Sequence, residues 1–319
     1  MGKTEDKYRD LYSDTERFIN SKLKWRGIHT VVITELGARL RGARVLDVGC
    51  GFGRFSLLAA NAGAEVLGVD FMDQAIHVAK VLAEATSLPV NFECADMEVE
   101  IPSGEPFDVI YLGGVLEHLG DPGRLLRSAA ARLSPGGIIV ANCPNEMNPR
   151  GSVSASLWLL LDFPMTANDA RMITPLEMDE IAATAGLSVS AVVGTSYGRG
   201  WAQTGLADMR ERLPKVVSHL RANGRSDMVN VENFLGWFNQ YVDQSEMLLE
   251  AWCREGHLRP IEGRDELKID LTVVESNSLP AEAVVRYLKS DFSIDPFYSK
   301  VEPFCRFGGQ AIYFIDRQG

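Results

Sequence analysis

The stretch VLDVGCGFGRFS, from Val45 to Ser56, constrains the fold more than any other. It opens as an apolar run suited to a buried strand, reaches Asp47, and passes through Gly49, Gly51 and Gly53. The residues that follow, FSLLAANAG, carry apolar side chains at helical spacing. Strand, glycine turn and helix in that order build a pocket at the carboxyl end of a parallel sheet. Glycines let the backbone approach a ligand closely, and the helix start offers free N–H groups. The glycines run G-x-G-x-G, not the G-x-G-x-x-G of dinucleotide folds. A carboxylate at Asp47 repels phosphate but suits an ammonium group.

Further strands follow at a regular cadence. AEVLGVDFM predicts a second strand ending in Asp70, PVNFECA a third ending at Asp96, FDVIYLGG a fourth, and IIVANCPN a fifth. Between them, MDQAIHVAKVLAEAT is amphipathic, with Ala75, Val78, Ala79 and Leu82 on one face. Another helix is bracketed by Gly120-Asp121-Pro122 and Pro135-Gly136-Gly137. The pattern predicts an α/β fold, a doubly wound and mostly parallel sheet. Three acids at successive strand ends describe a nucleoside with a cationic amino-acid tail: Asp70 for the ribose hydroxyls, Asp96 for an adenine amino group, Asp47 for the ammonium.

Residues 1–42 read as a helical lead-in or lid. Residues 43–197 read as the core, 198–307 as a largely helical insertion and 308–319, with GGQAIYFIDRQ, as a closing strand. Thr174, Pro175 and Gly186 mark a capped helix. An apolar helix is expected at 153–163, too short for the ~20 residues that a membrane span needs.

The net charge of −11 argues against nucleic acid as the main partner. The charged N-terminus has no signal-peptide core, and the five cysteines are scattered without ligand spacing, so a cytoplasmic protein with reduced thiols is expected.

These blocks resemble the core of a class I S-adenosylmethionine-dependent methyltransferase. VLDVGCGFGR, VLGVDFM, ECADME, FDVIYLGGVLEHLGDP and LSPGGIIVANCPN stand in the family's order and spacing. The group most similar is that of the ubiquinone-biosynthesis O-methyltransferases. The likeness covers about residues 43–145, with 174–197 and 309–317 more loosely matched. It implies a seven-stranded sheet whose last strand runs antiparallel between its two neighbours. S-Adenosyl-L-methionine is the implied cofactor. Asp47, Gly49 and Gly51 would line its methionine moiety, and Asp70 would hold the ribose. Phe71 or Met72 would cover an adenine face, and Asp96 with the Met97 backbone would hold the adenine edge. Leu112 and Gly113 would present backbone oxygens to its amino group.

The chemistry implied is methyl transfer to an oxygen or nitrogen of a small, partly apolar metabolite, mainly by positioning. Glu117-His118, just past the fourth strand, supplies the candidate catalytic pair, with His118 as general base; capping or pocket structure is the bland alternative. Trp25 and Arg26 would cover the cofactor, or merely pack. Arg54 is expected to face solvent, and His29, His77, His219 and His257 to be ordinary residues. Trp201, Phe234, Trp237, Phe238, Tyr241, Trp252, Phe297 and Tyr298 suit an acceptor lid, plain core or a homodimer face. No metal site is expected. Three other classes stay open: a SAM-binding scaffold without turnover, an NAD-dependent oxidoreductase, and an RNA or protein methyltransferase.

Overall fold

The computed structural model describes residues 27–96, 101, 104–161, 169–224, 230–260 and 297–317. In chain order the first elements are α1 (Gly27–Leu36), β1 (Arg44–Val48), α2 (Arg54–Asn61), β2 (Glu65–Asp70), α3 (Asp73–Thr86), β3 (Val90–Cys94), β4 (Phe107–Gly113), α4 (Pro122–Ala131) and β5 (Leu133–Pro144). Then come α5 (Pro149–Leu161), α6 (Pro175–Thr184), β6 (Leu187–Thr195), α7 (Tyr197–Trp201), α8 (Gln203–Ala222), α9 (Val231–Arg254), β7 (Arg259–Pro260), β8 (Phe297–Ser299) and β9 (Gln310–Arg317).

Alternation along β1 sets two layers, because successive strand side chains point to opposite faces. Val45 joins a cluster with Val31 and Leu36 of α1 and Phe55 and Leu58 of α2. Leu46 and Val48 join the other, with Leu126 and Ala129 of α4 and Met178 and Ala182 of α6. The helix starts are capped as the sequence suggests. Asp121 accepts from the Arg124 N–H at 3.1 Å, while Thr174 and Glu177 bond each other's backbone N–H in a reciprocal box.

The strand order is β3-β2-β1-β4-β5-β9-β6-β8-β7. Strands β1 to β5 run parallel, and β9 lies antiparallel between β5 and β6. Nine strands replace the expected seven. The two additions, β7 and β8, pair with each other and extend the β6 edge; two and three residues long, they are too short to leave an alternating pattern. Two further boundaries move. β3 ends at Cys94, so Asp96 lies two residues beyond it. β5 begins at Leu133, because Leu133 pairs with Phe107, and so contains Pro135-Gly136-Gly137.

The insertion leaves and re-enters the sheet at the carboxyl edge, since Thr195 ends β6 opposite Gln310, which starts β9. Its helices have their own apolar cluster, in which Leu206, Met209 and Leu213 of α8 meet Phe238 and Val242 of α9, with Val153 and Leu157 of α5 packed against them. Two asparagines after β5 hold the returning chain: Asn145 Nδ2 donates to the Arg306 and Gly308 carbonyls at 2.8 and 2.9 Å, and Asn148 Nδ2 donates to Gly308 at 3.2 Å. Lys300 pairs with Glu35 of α1, tying the return to the opposite end of the chain.

Candidate active site

The ends of β1, β2, β4 and β5 bring most of the expected residues to one sheet edge. Asp47, near the end of β1, is 2% exposed. Burial pushes its carboxyl up to about 7, and the neighbouring charge of Asp70 adds to this, against the opposing hydrogen bond from Ser56. Ser56 Oγ donates to Asp47 Oδ2 at 2.6 Å. The glycine loop then crosses toward β2: the N–H groups of Gly49 and Cys50 both donate to the Val69 carbonyl, at 2.8 and 3.0 Å. Gly49 has φ +69°, and a Cβ there would lie 2.6 Å from Val115 Cγ2, so the position needs glycine for conformation and for space.

Asp70 fastens this loop from the other side. Its Oδ2 accepts from Gly51 N at 2.9 Å and its Oδ1 from Met72 N at 2.9 Å. Each oxygen keeps a second lone pair for an incoming hydroxyl. Burial raises the Asp70 carboxyl above its ordinary value, against these backbone hydrogen bonds. Phe71 is 39% exposed and Met72 only 5%, so of the two Phe71 has open surface to offer a flat ring. At the end of β4, Leu112 is fully buried. Gly113 has no room for a side chain, because a Cβ there would lie 2.7 Å from the Tyr111 hydroxyl. The backbone at this strand end is therefore bare.

Two buried carboxyls, both raised above their ordinary range by burial, lie beside the side-chain-free backbone of Gly113 in a pocket where a cationic ligand would favour their charged form. A sulfonium nucleoside with an amino-acid tail fits it, and a pyrophosphate does not. The family model of the methyltransferase domain matches residues 25–192. The chain belongs to the class I S-adenosylmethionine-dependent methyltransferases. A ubiquinone biosynthesis O-methyltransferase of Coxiella burnetii is 34% identical over 166 residues, covering 50% of this chain and 69% of that protein. One from Nitrosospira multiformis is 33% identical over 192 residues, covering 57% and 80%. Among solved structures, a methyltransferase from Mesorhizobium loti aligns with TM-score 0.41 at 23% identity, over 51% of this chain and 82% of that one. Magnesium protoporphyrin IX methyltransferase from Synechocystis, with bound S-adenosylhomocysteine, aligns with TM-score 0.43 at 19% identity, over 60% and 87%.

In this methyltransferase the 3₁₀ turn Leu116–His118 begins three residues past the end of β4. Glu117 is 4% exposed, and burial raises its carboxyl to about 7. His118 Nδ1 lies 3.2 Å from Asp169 Oδ1. Glu146, past the end of β5, is raised to about 8 by burial, with the charge of Asp169 adding to it. Asp169 and Glu146 thus join the expected Glu117-His118 pair, although neither stands in a motif.

One residue beyond Glu146 begins the wall of an aromatic cavity of about 710 Å³ between α5, α7 and α9, lined by Leu157, Trp201, Phe234, Trp237, Phe238 and Tyr241. Trp252, by contrast, packs edge-on against Trp201 and Phe304. Phe297 and Tyr298 belong to β8 and pair with β7.

Arg54 departs from expectation. It is 8% exposed, because every residue of α2 from Arg54 to Ala60 is buried and the helix has no solvent face there. Trp25, Arg26 and Met97 lie outside the described residues. Among the described residues no cluster of three or more His, Cys, Asp or Glu side chains could hold a metal, and no helix is long and apolar enough to cross a membrane.

Proposed function

We propose that this methyltransferase acts on a hydroxyl oxygen of a small, partly apolar metabolite, with His118 taking the hydroxyl proton. The observation that carries this is the pairing of His118 with Asp169 at 3.2 Å in the turn after β4, at the same sheet edge where β5 ends and the chain enters the cavity wall at Met147. The names of the similar O-methyltransferases from Coxiella and Nitrosospira support oxygen over nitrogen. The cofactor, when bound, supplies an activated methyl group. What remains for the protein is alignment, exclusion of water and removal of a proton, and alignment alone can contribute ~7–11 kcal/mol.

On this proposal Asp47, Gly49 and Gly51 hold the amino-acid tail, with backbone oxygens of Leu112 and Gly113 facing its ammonium. Asp70 takes the ribose hydroxyls, Phe71 or Met72 covers the adenine, and Asp96 with Met97 holds its edge. Residues 1–42 lead into a core of 43–197, and the insertion 198–307 covers the acceptor before 308–319 completes the sheet. The apolar part of the acceptor lies among the α5 and α9 side chains.

The test has two stages. Calorimetry should detect S-adenosylmethionine and not NAD. Incubation with pooled phenols, alcohols and amines should then release S-adenosylhomocysteine, with mass spectrometry showing a product heavier by one methylene. Turnover of amines alone would refute the choice of oxygen, and binding without any product would favour a scaffold.

A further inference from the structure

His118 and Asp169 come together through a backbone clasp. The 3₁₀ turn sets His118 by a hydrogen bond from its N–H to the Val115 carbonyl at 3.1 Å. The neighbouring Glu117 carbonyl accepts from both Ala170 N and Arg171 N, at 2.8 and 3.2 Å. The segment carrying Asp169 is therefore fastened to the turn carrying His118 by two hydrogen bonds one residue away. The paired side chains are 21% and 12% exposed, which separates them from surface ion pairs that are worth little and hold no fixed geometry.

We propose that Asp169 is the positioning residue of a His118–Asp169 dyad: its carboxylate holds the proton on Nδ1, orients the ring, and steadies the imidazolium formed when Nε2 takes the acceptor's proton. The proposal rests on His118 being the base. As the acceptor oxygen bonds to the methyl carbon, the carbon–sulfur bond breaks with its electron pair left on sulfur, and the hydroxyl proton passes to Nε2. A carboxylate on Nδ1 selects the tautomer whose lone pair is on Nε2. Of the other charged groups, Glu117 on the same turn acts on His118 directly, while Glu146 from the segment after β5, with Arg150 beside it, acts on Asp169 and Glu117. Burial raises both the Glu117 and Glu146 carboxyls, which weakens each as a counter-charge to the ring.

The experiment compares Asp169→Asn, Asp169→Ala, Asp169→Glu and His118→Ala in the full chain. The first readout is the His118 imidazole titration by NMR of histidine-labelled protein, assigned by its disappearance in His118→Ala. Asp169→Asn should lower that pKa by ~1 unit or more, because an adjacent carboxylate favours the charged ring. An unchanged titration overturns the proposal. The second readout is S-adenosylhomocysteine release with the phenol and alcohol pool. His118→Ala should lose ~10²–10⁴-fold, as removal of a general base does. Asp169→Asn should lose at least ~10-fold in kcat with KM little changed, its acid limb moving to lower pH. Asp169→Glu should recover part of what Asp169→Ala loses. Loss in His118→Ala beside a normal Asp169→Asn overturns the dyad alone, whereas an unimpaired His118→Ala removes the base beneath it.

Discussion

Asp47 gives the sharpest prediction, since its proposed role as a ligand for positive charge and its effect on stability have opposite signs. Burial lifts its carboxyl from 3.8 to about 7 in the folded chain, a rise of roughly three pH units worth about 1.4 kcal/mol each. The folded state therefore holds this proton more tightly than the unfolded chain does. Between pH ~4 and ~7 the unfolded state carries the fewer protons, so stability falls as pH rises, and above ~7 the loss levels off at up to about 4 kcal/mol. Asp47→Asn keeps the shape and can still accept from Ser56 Oγ, but never carries the charge. In the ligand-free protein the variant should match the wild type near pH 4 and exceed it progressively toward pH 7. Its affinity for S-adenosylmethionine should fall at least ~10-fold, or about 1.4 kcal/mol. Urea denaturation at pH 5, 6, 7 and 8, with calorimetry at pH 7.5, reads both quantities. A variant no more stable than wild type at pH 8, or one that binds the cofactor normally, would refute the reasoning.

Three other substitutions probe the rest of the edge. Asp70→Ala removes the acceptor for Gly51 N and Met72 N as well as the proposed ribose ligand, and calorimetry should show cofactor affinity more than ~10-fold weaker. Gly49→Ala forces a side chain onto a left-handed backbone and against Val115 Cγ2; chemical denaturation should show a loss of ~1–3 kcal/mol. Leu157→Trp fills part of the aromatic cavity. It should raise KM for the acceptor at least ~10-fold while leaving the calorimetric cofactor affinity unchanged, and an unaltered KM would place the acceptor elsewhere.

What could be read from the sequence followed how locally each feature is specified. The glycine loop, Asp70 and the bare end of β4 are each written within a few consecutive residues, and the strand–helix cadence that aligns them is equally local. Arg54 was misjudged because a charged residue after a glycine turn suggests solvent. Only the packed structure reveals that α2 is enclosed on every side. Asp169 left no signal at all, lying in an irregular stretch far along the chain and reaching His118 through hydrogen bonds to a single carbonyl. The aromatic residues of the insertion were visible as a class. Their division into cavity wall, around Trp237 and Tyr241, and packing, around Trp252, depends on how α5 and α9 approach each other.

The position of β9 has a consequence for the making of the protein. Gln310–Arg317 is synthesised after the whole insertion, yet it is the strand that joins β5 to β6. While a ribosome is still extending the insertion, the donor loop Val45–Ser56 and its strands have already emerged. Beside them, β5 and β6 each carry an unzipped backbone edge, the kind of surface that seeds association between chains. A message truncated anywhere in the insertion would yield a polypeptide with every glycine and acid of the proposed cofactor site in place, but without the strand that joins β5 to β6. Closure of the sheet is in this way tied to complete translation through β9.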